Sequence, residues 1–138
     1  MNYIHKVQYY ETDKMGVVHH SNYIRWMEEA RIDYLDRMGY SYAKLEEEGI
    51  ISPVTGIQCK YQKPTTFGEI VSIDVSVKEF RGVRLSMEYH IFNEKGDLVF
   101  DGISEHCFID AEGKLLRLKK LHPDFYELLT TLAAKNKE

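Results

Sequence analysis

Residues 21–39, SNYIRWMEEARIDYLDRMG, carry the strongest helical periodicity in the chain and decide what kind of fold is possible. Tyr23, Met27, Ala30, Tyr34 and Met38 recur at three- and four-residue spacing, with Ile24 and Leu35 on the flanks of the stripe. Arg25, Glu29, Asp36 and Arg37 lie elsewhere on the cylinder. The pattern predicts an amphipathic helix with one face buried against a second layer. Ser21 or Asn22 is expected to accept a hydrogen bond from the first-turn amides, and Gly39 to take the left-handed conformation that ends the helix. A shorter helix is expected over 42–48, stopped by Gly49 and then by Pro53.

On either side of these helices the period changes to two. A short strand is expected upstream over 3–10. Downstream, Ile57, Cys59 and Tyr61 alternate with Gln58, Lys60 and Gln62. Val71, Ile73, Val75 and Val77 share one strand face, with Ser72, Asp74, Ser76 and Lys78 on the other. Arg81-Gly82 turns into a run in which Leu85, Met87, Tyr89 and Ile91 alternate, and NEKGD at 93–97 turns again into LVFDGISEHCFI. Three consecutive antiparallel strands follow from that spacing. HPDFYELLTTLAAK closes the chain as a helix, with Pro123 near its first turn.

A long helix beside a meander of half-apolar strands is the recipe for a two-layer α+β domain whose sheet curls over the helix. At 138 residues the chain suits a single domain over 1–138 with a sizeable core. Its sheet must have an edge, and pairing with a second copy is a common way to cover one, so a homodimer is expected.

Composition narrows the partners. The formal charge is −4, with basic and acidic residues interspersed, which argues against a nucleic-acid surface. Small basic clusters at 60–63 (KYQK) and 117–120 (RLKK) read first as solvated faces. The two cysteines, Cys59 and Cys107, lack CxxC spacing and read as reduced thiols in strands. No apolar run suits a signal peptide or a bilayer span, so a cytoplasmic location without membrane contact is expected.

The chemistry concentrates just before the long helix, in YYETDKMGVVHHSNY at 9–23. Asp13 lies in a turn-rich stretch, with Gly16 three residues later to permit a tight path. Alone, such an Asp is most often a turn former. Its loop, however, feeds the first turn of the longest helix, whose free amides and positive dipole end suit a developing oxyanion. His19-His20 is a poor metal pair, because adjacent side chains diverge and no further ligand motif completes a set. A serine nucleophile is disfavoured because no GxSxG turn occurs, and no GxxxxGK[ST] or GxGxxG phosphate loop is present. A single carboxylate facing an amide-lined oxyanion site remains.

The run YYETDKMGVVHHSNYIRWMEEAR resembles the hotdog-fold acyl-CoA thioesterases of the 4-hydroxybenzoyl-CoA thioesterase type. The segment CKYQKPTTFGEIVSIDVSV is similar to that family's second strand, Pro and Gly turn, and third strand, so the likeness spans nearly the whole chain. His19 and Glu69 depart from the family pattern, which often has an aromatic residue and an Asp there.

The resemblance implies a curved antiparallel sheet wrapped around the long helix, with active sites at a dimer interface. It implies hydrolysis of an acyl-CoA to free acid and coenzyme A, with no cofactor beyond the coenzyme A of the substrate. Asp13 would be general base or nucleophile, and the backbone amide of His20 would polarise the thioester carbonyl. Gly16, Val17, His19, Asn22 and Tyr23 are candidate pocket or substrate contacts. Asn22 and Tyr23 also read as structural residues of the first helical turn. Lys60, Lys63 and Arg84 are candidate contacts to the coenzyme A phosphates. Acyl carrier protein as the acyl carrier, and a non-catalytic acyl-binding hotdog protein, are the alternatives. A homodimer or homotetramer is expected.

Overall fold

A computed structural model describes residues 2–136. In chain order the elements are β1 (Tyr3–Lys6), α1 (Ser21–Arg37), α2 (Tyr42–Glu47), β2 (Val54–Tyr61), β3 (Ile70–Phe80), β4 (Arg84–Phe92), β5 (Leu98–Cys107), α3 (Leu118–Leu121) and α4 (Pro123–Asn136). Among the described residues the strands form one antiparallel sheet in the order β1-β3-β4-β5-β2. The expected three-strand meander is its centre. β1 joins β3 at one edge and β2 joins β5 at the other, so both outer strands come from chain segments that precede the meander.

The period-two reading of β3 and β4 is borne out: Val71, Ile73 and Val77, and Leu85, Met87, Tyr89 and Ile91, are all buried on one face. Against that face lies α1, with Trp26, Met27, Ala30 and Tyr34 in the shared core. A β-carbon on Gly102 would come within 2.7 Å of the Phe100 ring and 3.0 Å of Met27 Sδ, so glycine at this point of β5 lets the helix sit close to the sheet. The result is the hotdog arrangement, a sheet folded around a long helix. No helix among the described residues is long and apolar enough to cross a membrane.

Several local expectations are corrected. The first strand ends at Lys6 rather than continuing to Tyr10, because Tyr9–Glu11 form a 3-10 turn closed by the Glu11 amide on the Gln8 carbonyl at 3.0 Å. Neither Ser21 nor Asn22 caps α1. The Ser21 amide donates to His19 Nδ1 at 3.3 Å, the Asn22 amide donates to the His19 carbonyl at 3.0 Å, and the Asn22 side chain reaches back to the Glu11 carbonyl at 2.9 Å. Trp26 is fully buried, whereas Ile24 is exposed, so the buried stripe sits further round the helix than the spacing of smaller residues suggested. Gly39 and Gly49 do adopt positive φ at the ends of α1 and α2, as expected.

Candidate active site

The segment from Thr12 to His20 is a tight excursion tied down at both ends. Thr12 bridges Val18, and Val17 bridges Thr66. The Asp13 amide donates to the Val17 carbonyl at 2.8 Å, the Gly16 amide donates to the Asp13 carbonyl at 3.0 Å, and Gly16 sits at φ +80°. Asp13 Oδ1 accepts from the Met15 amide at 2.8 Å, an Asx turn formed by one carboxylate oxygen. Asp13 is therefore a turn former as well as a candidate for chemistry.

The loop's anchor is Glu11, which sequence reasoning passed over. Its carboxylate is buried and accepts from Trp26 Nε1 at 2.7 Å, from the Gln8 amide at 2.8 Å and pairs with His5 Nε2 at 2.9 Å. Burial pushes this carboxyl up, but the donors from Gln8, His5 and Trp26 outweigh it and hold the group below its usual range. The Glu11 carbonyl also accepts from the His19 amide and the Asn22 side chain. One residue thus joins the end of β1, the Asp13 loop and the start of α1.

Asp13 separates two hollows. One, of about 340 Å³, is bounded by Asp13, Val17, His20, Tyr23, Tyr61 and Lys63. The other, wider and open, is bounded by Asp13, Gly16, His19 and Asn22 together with Tyr9 and Arg25. At the mouth of the first, the amides around the start of α1 are accounted for: His19 donates to Glu11, Asn22 to His19 and Tyr23 to the His20 carbonyl. The His20 amide finds no acceptor among the described residues. It stands at the positive end of the 17-residue α1, where a partial negative charge is stabilised.

The walls of the first hollow come from far along the chain. Tyr61, at the end of β2, donates to the His20 carbonyl at 3.2 Å and meets Tyr23 edge-on at 5.3 Å between ring centroids. Partial desolvation, reinforced by Cys59, pushes Tyr61 up to about 12 although the residue is largely exposed. Tyr23 stacks on Phe100 and shares a 2.8 Å hydrogen bond with Thr65. The sequence pattern sets Tyr61 only among the alternating residues of a half-buried strand, where the structure leaves it exposed. The register that pairs Tyr61 with Phe100 brings it to the hollow.

The basic candidates divide. Lys63 lines the first hollow and also reaches Asp97 at 3.4 Å. Lys60 points to the sheet face away from α1, beside His90 and Asp101. Arg84 is not brought near Asp13 within one chain, since it pairs with Cys107 whereas Tyr61 pairs with Phe100. That places Arg84 seven strand residues away, roughly 23 Å. Among the described residues no group of three or more His, Cys, Asp or Glu side chains converges as a metal ligand set.

Comparison with known proteins supplies an independent line. Residues 7–129 match the thioesterase-like superfamily. The Bacillus subtilis (strain 168) protein YneP, provisionally named an acyl-CoA thioesterase, is 35% identical over 122 residues, covering 88% of each chain. A 1,4-dihydroxy-2-naphthoyl-CoA hydrolase of Thermosynechococcus vestitus is 28% identical over 106 residues, covering 76% of this chain and 73% of that protein. The crystal structure of a DHNA-CoA thioesterase from Staphylococcus aureus superposes with a TM-score of 0.93 at 39% identity, over 99% of this chain and 92% of that one.

Proposed function

The chain belongs to the thioesterase-like superfamily, and from that premise we propose that it is a cytoplasmic thioester hydrolase acting on an acyl-CoA, with Asp13 as the group that drives the reaction. The observation that supports this reading is the shared hollow: Asp13 and His20, whose backbone amide has no acceptor among the described residues, both line it beside the start of α1.

In the proposed reaction the thioester carbonyl oxygen takes the His20 amide, where its developing charge meets both the N–H and the helix dipole. Asp13 removes a proton from water as the water oxygen adds to the carbonyl carbon, or adds to that carbon itself. Collapse breaks the C–S bond and the departing thiolate is protonated to coenzyme A, by the proton Asp13 took from water in the first route and by solvent in the second. In the second route water then hydrolyses the acyl–Asp13 anhydride, releasing the acid and restoring the carboxylate. A preorganised donor contributes on the order of 10²–10³ in rate and base assistance roughly 10²–10⁴. No cofactor beyond the substrate's own coenzyme A is needed. Lys63 is the basic residue suited to a phosphate at the mouth, with Lys60 and Arg84 available only if a second copy brings them near.

A homodimer completes the reading. β2 is the long free edge of the sheet, and a two-fold axis pairing it with its own copy would extend the sheet and cover that edge. The test is thiol release from a panel of short, medium, long and aromatic acyl-CoAs, with Asp13→Ala as control. Activity confined to the wild type supports the assignment, whereas undiminished activity in Asp13→Ala overturns it. A single turnover in ¹⁸O-labelled water then separates the two roles of Asp13, since unlabelled acid marks direct attack.

A further inference from the structure

The carbonyl-polarising donor of the proposed reaction is a backbone amide, and the residue before it is unusually committed. His19 spends every polar group but Nε2 on the start of α1. Its amide donates to the Glu11 carbonyl at 2.9 Å, and its carbonyl accepts from the Asn22 amide at 3.0 Å. Its Nδ1 accepts from the Ser21 amide at 3.3 Å and lies 2.9 Å from the Ser21 hydroxyl. His20 already has helical backbone angles, φ −54° and ψ −29°, so the capping position falls on His19 and the Ser21 amide is the second of the helical N–H groups. A serine, aspartate or asparagine cap ordinarily engages that amide, and here an imidazole takes the part. An N–H donor at Nδ1 requires the lone pair there, which sets the ring proton on Nε2 and keeps the capping imidazole neutral.

The cap decides which amide is left for a ligand. Ser21, Asn22 and Tyr23 all have acceptors, and His20 carries the free N–H of this first turn. The peptide group that bears the His20 N–H has the His19 carbonyl at its other end, and the Asn22 amide holds that carbonyl. One residue therefore both restrains the free donor and removes its neighbour from competition. Helix ends fray when their first amides lose their acceptors. A donor displaced by about 1 Å can lose on the order of 10² in rate.

We propose that His19 is a positioning residue, whose imidazole caps α1 so that the His20 amide is left as the one free donor there for the thioester carbonyl oxygen. The inference rests on the thioesterase reading for the identity of that oxygen. His19 acts through the helix start rather than by touching the carbonyl: it borders the wider hollow with Gly16 and Asn22, not the one walled by His20 and Tyr61.

Three substitutions at this exposed position separate the cap from the ring. His19→Phe keeps a ring against His20, whose centroid is 4.2 Å away, but offers no acceptor. His19→Asn loses the ring and puts an amide oxygen where Nδ1 stands. His19→Gln carries its oxygen one bond further, at the place of Nε2, away from the Ser21 amide. Each is compared with wild type in thiol release from the acyl-CoA panel. Each is also compared by NMR in the shift of the His20 amide on adding acetonyl- or phenacyl-coenzyme A, ketones that keep a carbonyl and are not hydrolysed. His19→Phe and His19→Gln should lower kcat by about 10- to 100-fold with KM within about threefold, and should shrink the His20 shift. His19→Asn should bring both back to within about threefold of wild type. Wild-type kcat in His19→Phe, or a His19→Asn protein as slow as His19→Phe, overturns the inference and leaves the hydrolase reading in place. If even the wild type cleaves no thioester but the His20 shift is larger in His19→Asn than in His19→Phe, the positioning role stands and the hydrolase reading falls. No cleavage and no such order overturns both.

Discussion

Glu11 and Asp13 are carboxylates two residues apart, and the fold treats them in opposite ways. Glu11 is buried with both oxygens engaged by donors from Gln8, His5 and Trp26. Asp13 is half-buried, gives one oxygen to the Met15 amide and borders two hollows. A carboxylate whose acceptor sites are filled by fixed donors holds structure together and is a poor base. One with an oxygen facing open space at a helix start is free to meet a substrate. Proximity in sequence says little about role; the count of committed lone pairs says more.

Exchanging each carboxylate for its amide should separate the two roles most sharply. Asp13→Asn keeps the oxygen that accepts from Met15, so its unfolding free energy should stay within about 0.5 kcal/mol of wild type. Its thiol release should nevertheless fall roughly 10²–10⁴-fold. Glu11→Gln turns an N–H toward a donor and should cost about 1–3 kcal/mol in denaturant unfolding, with a smaller effect on the rate of the folded fraction. If Glu11→Gln abolished turnover in folded protein while Asp13→Asn spared it, the comparison would be inverted.

Acid titration sharpens the same contrast. The Glu11 carboxyl is held below its ordinary value of 4.5, so its contribution to stability is complete above that pH and is lost as pH falls through the folded value. Thermal melts should therefore show a steeper acid limb in wild type than in Glu11→Gln.

Gly16→Ala probes the turn that holds Asp13 in place. A β-carbon there meets nothing within 4 Å, so the cost is that of a left-handed residue alone, about 1–2 kcal/mol in a melt. The smallest change is expected for His20→Ala. It retains the backbone amide, and thiol release should stay within about tenfold of wild type, against the 10²–10³ that loss of an oxyanion donor costs. A larger drop would give the imidazole a part in the chemistry.

Legibility in the sequence followed the range of the interaction. α1, β3 and β4 were readable because their buried faces repeat within a single element. Gly39 and Gly49 marked helix ends because a positive φ is a local demand. The end of β1 was missed because the Glu11 side chain, folded back on the Gln8 amide, competes with strand continuation. The capping expectation failed for a related reason: His19 supplies the acceptors, which frees Asn22 to tie α1 to Glu11.

The site divides along the same line. Asp13, Gly16 and His20 fall within eight residues, and their arrangement follows from one turn and one helix start. The chain's own pattern therefore determined the two-layer fold, the position of the long helix and the carboxylate before it, since each depends on neighbours in sequence. Tertiary structure alone decided that Tyr61, 41 residues from His20, walls the hollow, that Arg84 stands at the far end of the sheet, and that Glu11 rather than Asp13 is the anchor. Those outcomes depend on strand register and on which buried donors meet which acceptors, and period and composition record neither.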